Sequence, residues 1–234
     1  MKFKINNKIF GKFPHLNIGV LICKKINNKG LSGKIMKLIR EREEKIQSQF
    51  NSETLSQNSK INVWREAYRA FGAKPKEGKS SVEALYKKTL EGEKLRHINK
   101  IVDIYNYISL KYLLPVGGED LDKIQGDIYL TIAEKDESPV LLLGDKEARP
   151  PHESEIIYKD EISAVCRRFN WREADRTKFT EETKDAVLVM EGLSPIPKED
   201  VERILEEMKE LVESFCEGEI SRFILNKDNL EIEF

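Results

Sequence analysis

The chain has 234 residues, of which 39% are hydrophobic and 35% are charged, with a formal net charge of -1. That composition supports a substantial buried core and high solubility, and no apolar run approaches the ~20 residues that a membrane helix needs. The first residues lack the apolar segment of a signal peptide, and the three cysteines are far apart and odd in number. We therefore expect a cytoplasmic protein without structural disulfides, without zinc or another metal, and without contact to a membrane.

Charge is divided unevenly along the chain. Residues 1–100 contain 23 lysines and arginines against nine glutamates, whereas residues 101–234 contain 17 basic residues against 32 acidic ones. A division of this size can mark a polyanionic partner for the first half. The two halves could equally interlock and neutralise each other, and charge alone leaves both interpretations open.

Hydrophobic periodicity predicts the elements of the first hundred residues. Alternating and continuous apolar runs predict strands over Met1–Phe10 and Asn17–Lys25. Apolar residues at helical spacing predict a surface helix from Leu31 to Asn51 and a short helix around Val63–Phe71. A further helix begins at a capping-box pattern, Ser80 followed by Glu83, and is predicted to end near Leu90.

The stretch from Leu95 to Leu130 is the most informative in the chain. It reads as an apolar helix that Pro115 ends, then a Gly117-Gly118 loop followed by acidic residues, then a strand. Glycine and acidic residues are ordinary turn residues, so the loop can be a solvated turn. It can also be a ligand-binding loop, because binding residues favour loops on rigid scaffolds.

The second half of the chain mixes strands and helices without a regular βαβ rhythm, which favours an α+β fold in a single domain over residues 1–234. An amphipathic helix beginning at Pro197 is predicted to dock on the core, followed by a closing hairpin. The predicted strands cover Asp127–Ala133, Val140–Gly144, Glu155–Tyr158, Ile162–Arg167, Ala186–Glu191, Ile220–Leu225 and Leu230–Phe234.

A basic group stands out within this acidic half. Arg167, Arg168, Arg172 and Arg176 surround Trp171 in the sequence. Arginine offers bidentate donors to phosphate and tryptophan offers a stacking face to a base. In the alternative interpretation, the tryptophan packs in the core and the arginines pair with neighbouring acids.

Several motifs resemble a known family. INKIVDIYNYISL, LPVGGEDLDKIQGDI and CRRFNWR are similar to the B3/B4-type editing domain of the bacterial phenylalanyl-tRNA synthetase β subunit, and more so to free-standing proteins built from that domain. The resemblance covers roughly residues 60–192. It implies a β-sandwich-like core flanked by helices, on which residues 193–234 pack as a helix and hairpin.

The resemblance also implies a function, namely hydrolysis of mischarged aminoacyl-tRNA in trans, with the aminoacylated 3′ end of tRNA as the partner. An alternative is a tRNA- or RNA-binding module without hydrolysis, because Gly117 stands where the synthetase has a histidine. A small-molecule hydrolase is a third hypothesis. We expect no cofactor, because the chain has neither a P-loop nor a dinucleotide fingerprint.

Candidate site residues follow from these motifs, from the chemistry of ester hydrolysis and from the basic first half of the chain. Gly117 and Gly118 are candidate oxyanion donors and Glu119 is a candidate base, while the catalytic residues themselves stay unassigned. The predicted substrate-binding residues are Arg96, Asn106, Asn170, Arg172, Thr177, Thr183 and Glu191. The predicted RNA-binding residues are Lys74, Lys76, Lys79, Lys87, Lys88, Arg167 and Arg168.

Overall fold

A computed structural model describes residues 1–74 and 78–234 of the chain. The helices in these ranges are α1 (Gly33–Gln49), α2 (Ser59–Ala70), α3 (Ser81–Leu90), α4 (Lys100–Tyr112) and α5 (Lys198–Cys216). The strands are β1 (Lys2–Ile5), β2 (Asn17–Lys24), β3 (Val116–Asp120), β4 (Ile128–Ile132), β5 (Ile156–Lys159), β6 (Ala164–Arg167), β7 (Arg172–Glu173), β8 (Ala186–Gly192), β9 (Glu219–Leu225) and β10 (Glu231–Glu233).

The strands form two sheets, and the predicted α+β class is confirmed. The larger sheet has the order β10-β1-β4-β5-β6-β7, and the smaller has the order β3-β8-β2-β9. Strands β1 and β4 run parallel, while the other named pairs are antiparallel. Both sheets contribute to one hydrophobic cluster, so they enclose a common interior.

Helices α4 and α5 pack on this interior, as their sequences predicted. Helix α4 is apolar on several sides, and Ile101, Ile104 and Ile108 are fully buried. Helix α5 places Leu205 against Gly19 of β2, where a Cβ would lie 3.1 Å from the leucine side chain. None of the helices described in residues 1–74 and 78–234 has the length and apolarity required to cross a bilayer.

Helix α3 begins where the capping pattern predicted. The Ser80 side chain accepts a hydrogen bond from the backbone N–H of Glu83, at 3.4 Å. The Glu83 carboxylate does not return to Ser80, because it pairs with Arg65 at 2.8 Å instead. The reciprocal half of the capping box is therefore replaced by an ion pair between α2 and α3.

The Pro-Gly-Gly loop prediction was wrong. Helix α4 ends at Tyr112, its C-cap residue Leu113 adopts a left-handed φ of 56°, and the glycines lie in strand β3. Gly117 pairs with Val189 and Gly118 with Leu188 of β8. Glycine has a low intrinsic propensity for strands, so the local sequence suggests a turn. Pairing with the buried strand β8, which is distant in the sequence, makes these residues extended.

Two other strand predictions need correction. Residues 140–144 form isolated bridges, Val140 with Arg149 and Leu142 with Ala174, instead of a strand. The last two strands do not pair as a hairpin, because β9 joins β2 in the smaller sheet and β10 joins β1 in the larger one. The turn between them therefore links the two sheets.

The close pairing of β3 and β8 makes Gly118 a sensitive position. A Cβ there would overlap the carbonyl oxygen of Val187 and lie 2.9 Å from the Leu188 side chain. We expect Gly118→Ala to lower the free energy of unfolding by about 1–3 kcal/mol, the usual cost of overpacking. Gly33→Ala is the matched control, because a Cβ at Gly33 meets nothing within 4 Å. Equal midpoints for both variants in urea unfolding would contradict this packing.

Candidate functional site

A cavity of about 260 Å³ lies between the two sheets. Strands β1, β4, β5 and β6 line one side, strands β3 and β8 line the other, and helices α3 and α4 contribute to its edge. The walls are largely apolar. The apolar wall residues include Phe3, Leu85, Val116, Ile128, Leu143, Val165, Phe169, Val187 and Val189.

A buried hydrogen-bond chain joins the two sheets at this cavity. Glu191, at the end of β8, accepts hydrogen bonds from the Tyr158 hydroxyl of β5 at 2.8 Å and from the Asn170 side-chain amide at 2.9 Å. The Tyr68 hydroxyl of α2 in turn donates to the side-chain oxygen Oδ1 of Asn170 at 3.0 Å. Both oxygens of Glu191 are thus engaged, which fixes the polar end of an otherwise apolar space.

Burial governs the protonation of Glu191, whose side chain is only 3% exposed. Loss of solvent raises the pKa of this carboxyl to about 7, and the donors Tyr158 and Asn170 oppose the rise because they stabilise the anion. The neighbouring Glu173 carboxyl raises it further. Glu191 therefore exchanges its proton near neutral pH.

A second carboxyl group faces the cavity from strand β7. Oε1 of Glu173 accepts a hydrogen bond from the backbone N–H of Gly118 at 3.4 Å. Burial raises the pKa of Glu173 to about 7, against the lowering effect of that N–H. A Cβ on Gly117 would lie 2.7 Å from the same oxygen, so the absence of a side chain at Gly117 leaves room for the Glu173 carboxyl.

Glu119 is a third carboxyl group on the cavity wall. It is buried, and its Oε2 atom has no hydrogen-bond partner among the described residues. Burial raises the pKa of Glu119 well above its ordinary value, and the charge of Glu173 adds to the effect. Burial therefore favours the neutral form of Glu119 over its carboxylate.

The two glycine amides of β3 differ in direction. Glu191 N–H donates to the Pro115 carbonyl and Asp120 N–H donates outward to Thr177. Because bonded and non-bonded pairs alternate along antiparallel strands, the Gly117 amide belongs to the ladder with β8. The Gly118 amide points out of the ladder to Glu173. Of the two predicted oxyanion donors, only Gly118 presents its N–H away from the sheet.

The arginines around Trp171 are held within the fold. The Arg168 guanidinium lies 4.4 Å from the centre of the Trp171 ring, and Trp171 lines the cavity. Arg167 binds the Glu155 carboxylate with two hydrogen bonds, and Arg168 adds a third. Both arginines are buried on Glu155, so the structure corrects their predicted role as surface phosphate contacts.

The structure brings together seven of the predicted catalytic and substrate-binding residues. The residues that line the cavity are Asn106, Gly117, Gly118, Glu119, Asn170, Arg172 and Glu191. Arg96 does not line it and is exposed in the segment before α4. Thr177 and Thr183 are buried beside β3, where the Thr183 hydroxyl donates to Asp120 at 2.7 Å. These two threonines brace β3 and do not face the cavity.

Two of the predicted RNA-binding lysines lie on a helix that also contributes to the cavity wall. Lys87 and Lys88 lie on α3, the helix whose Ser81 and Leu85 line the cavity. Lys74 and Lys79 flank residues 75–77, and Lys76 falls outside the described residues.

Sequence patterns missed several lining residues, among them Tyr105, Tyr158, Cys166 and Glu173. Tyr158 lies in a predicted strand, but only the pairing of β5 with its neighbours determines that its side chain is on the cavity side of the sheet. Glu173 directly follows the CRRFNWR motif, and the two-residue strand that holds it is too short for a periodic signal. Its position next to that motif is the one signal in the sequence that could have indicated it.

Comparison with known proteins identifies the family. The B3/4 domain model matches residues 63–217, and the chain belongs to that family. The phenylalanine--tRNA ligase β subunit of Aliivibrio fischeri (strain ATCC 700601 / ES114) is 33% identical over 101 residues, which are 43% of this chain and 12% of that protein. A crystal structure of an N-terminal fragment of the Pyrococcus horikoshii phenylalanyl-tRNA synthetase β subunit aligns at a TM-score of 0.45 and 12% identity, over 98% of this chain and 53% of that chain. The chain thus spans a small part of the curated relative that it matches.

The buried carboxyl of Glu191 should make stability depend on pH. In the unfolded chain a glutamate has its ordinary pKa of about 4.3, so the folded state holds the proton more tightly and loses stability as pH rises from about 4.3 through 7. We expect Glu191→Gln to be more stable than the native chain at pH 8 by roughly 1–3 kcal/mol, and to lose this advantage by pH 5. Urea unfolding at both pH values measures it. The exposed Glu134→Gln serves as control, and a pH-independent effect of Glu191→Gln would contradict the assignment.

Proposed function

We propose that the chain hydrolyses the ester bond of wrongly charged aminoacyl-tRNA, with the aminoacyl group held in the cavity between the two sheets. The observation that carries this proposal is the cavity itself, which has apolar walls and one fixed polar end in a B3/4 domain. The relationship to a subunit named for phenylalanine and tRNA supports the choice of substrate class.

The size of the cavity supports an aminoacyl group as its occupant. Pockets for drug-sized ligands usually measure about 300–1,000 Å³, and this one has about 260 Å³. It therefore suits an amino-acid side chain with its ester group better than a whole nucleotide. The apolar walls would pack the side chain, and Glu191 with its two donors would discriminate between polar and apolar groups at the far end.

Hydrolysis of an aminoacyl ester requires few catalytic groups from the protein. An aminoacyl ester is already activated, so a positioned water, a donor for the developing oxyanion and accurate placement of the carbonyl would be sufficient. The outward-facing N–H of Gly118 is the candidate donor on β3, and it would share its hydrogen between Glu173 Oε1 and the developing oxyanion. Burial raises the pKa of Glu119, and the neutral form that this favours would not repel the negative charge that develops on the ester oxygen.

The body of the tRNA would lie across the basic surface next to α3. Lys87 and Lys88 project from the same helix that presents Ser81 and Leu85 to the cavity. Phosphate contacts of this kind are electrostatic and independent of sequence. The excess of basic residues in the first hundred positions fits such a surface.

A second candidate function is tRNA binding without hydrolysis. Its supporting observation is that the Gly118 N–H already donates to Glu173, so the donor is occupied in the unliganded protein. Ester turnover distinguishes the two functions.

The decisive experiment measures hydrolysis of a panel of correctly and wrongly charged aminoacyl-tRNAs by the purified protein. Selective release of the amino acid from a wrongly charged tRNA is the expected result. Retained tRNA binding with no release across the panel would replace the hydrolase with the binding module. Hydrolysis of free amino-acid esters without any effect of tRNA would instead indicate a small-molecule hydrolase.

The basic surface has its own test. Changing Lys79, Lys87 and Lys88 together to glutamate should weaken tRNA binding and reduce the slope of log K against log salt by roughly 0.7–0.9 for each phosphate that the protein no longer neutralises. A triple change of Lys135, Lys198 and Lys227 to glutamate alters the net charge equally at exposed positions outside the cavity wall. Affinity for tRNA is measured by filter binding. Equal reductions for the two triple variants would show an effect of net charge alone, and would contradict a tRNA-binding surface next to α3.

A further inference from the structure

We propose that Glu173 is the catalytic base of this site, and that its carboxyl stands in the space that a side chain at position 117 would otherwise fill. This inference rests on the proposed ester hydrolysis and adds the group that takes the proton from the attacking water. The sequence motifs gave Glu173 no role.

The first observation is the fit between Glu173 and Gly117. A Cβ atom at position 117 would lie only 2.7 Å from Oε1 of Glu173. Any residue larger than glycine at this position would therefore displace the carboxyl. Gly117 has an ordinary extended backbone in β3 and has no conformational need to be glycine. The close approach of Glu173 is thus a physical reason for glycine at this position.

The second observation is that Glu173 is oriented but not saturated. Its Oε1 atom accepts from the Gly118 N–H at 3.4 Å, whereas Oε2 accepts no hydrogen bond from residues 1–74 and 78–234. Glu191 differs, because Tyr158 and Asn170 occupy both of its oxygens. Glu119 also differs, because its Oε2 atom has no hydrogen-bond partner among the described residues to orient it, and burial raises its pKa well above the ordinary value. Among the three carboxyl groups of the cavity wall, Glu173 is the one with a fixed orientation, an available oxygen and a proton affinity matched to neutral pH.

The reaction breaks the ester between an amino acid and the terminal ribose in two steps. Oε2 of Glu173 takes a proton from water while the water oxygen forms a bond to the ester carbonyl carbon, and the carbonyl oxygen becomes an oxyanion. The tetrahedral intermediate then collapses, the bond from carbon to the ribose oxygen breaks, and Glu173 returns the proton to that oxygen. The products are the free amino acid and the ribose hydroxyl, and Glu173 is again ionised.

The surroundings of Glu173 set the pH range of this step. Glu119 of β3, Glu191 of β8, Tyr105 of α4 and Cys166 of β6 lie close enough to interact with its charge. Burial raises the pKa of Glu173 to about 7. A base must be ionised to act, so turnover should rise with pH up to about 7 and then level off.

The test compares single-turnover hydrolysis by the native chain, Glu173→Gln and the exposed control Glu153→Gln, using the panel of aminoacyl-tRNAs at pH 5.5–8.5. The amide of Glu173→Gln is isosteric and can still accept from Gly118 N–H. We expect it to lower the rate of ester cleavage about 10²–10⁴-fold with little change in tRNA affinity, and to abolish the rise in rate below pH 7. Glu153→Gln should retain the native rate and pH profile.

A double-mutant cycle covers the case in which Glu173→Gln is poorly folded. Gly117→Ala retains the Glu173 carboxyl but displaces it from its position, so this variant should slow turnover at least about tenfold. In a Glu173→Ala background the same change should have no further effect, since the carboxyl that it displaces is absent. An equal effect of Gly117→Ala in both backgrounds would overturn the inference.

The outcomes separate this inference from the proposed function. If the native chain hydrolyses a substrate and Glu173→Gln has the same rate and pH profile, the role of Glu173 is overturned and the proposed hydrolase activity is retained. No turnover of any aminoacyl-tRNA by the native chain overturns the hydrolase, and the base falls with it.

Discussion

A buried carboxyl group joins the two sheets of this protein, and the cavity depends on that contact. Glu191 at the end of β8 accepts hydrogen bonds from Tyr158 of the larger sheet and from Asn170 in the loop after β6. The Tyr68 hydroxyl donates to the Asn170 side chain and keeps it in position. Burying a carboxyl in an apolar interior is costly unless its hydrogen bonds are made. The donors offset part of this cost and fix the distance between the sheets, so the space beside them stays open and shaped.

The same interior holds two more carboxyl groups, although an apolar core would be more stable. Glu119 and Glu173 face the cavity and both have raised pKa values because of burial. Groups with shifted pKa values that converge in a cleft are typical of functional sites, where stability is lost in favour of chemistry. The exclusion of bulk solvent that raises these pKa values would also strengthen each hydrogen bond to a bound ester.

Local patterns predicted much of the fold, while the family resemblance pointed to seven of the residues that line the cavity. Long periodic segments such as α4 and α5 could be read directly, because a helix buries a face that repeats every 3.6 residues. Strand β3 could not, because its Gly117-Gly118 pair resembles a turn and only pairing with β8 makes it extended. Glu191 and Asn170 were found through motifs, whereas Glu173 depends on a two-residue strand and on contacts with β3, which no local pattern encodes.

A crystal structure with an unreactive substrate analogue would test the proposed use of the cavity directly. In the analogue, an amide replaces the ester between the 3′ carbon of adenosine and the amino acid that the aminoacyl-tRNA panel shows to be released. We expect the amino-acid side chain between the two sheets with its end near Glu191, the amide carbonyl within hydrogen-bond distance of Gly118 N–H, and Oε2 of Glu173 facing the carbonyl carbon across one water. An analogue bound outside the cavity, or bound with the adenosine buried and the amino acid in solvent, would contradict both the proposed substrate position and the role of Glu173.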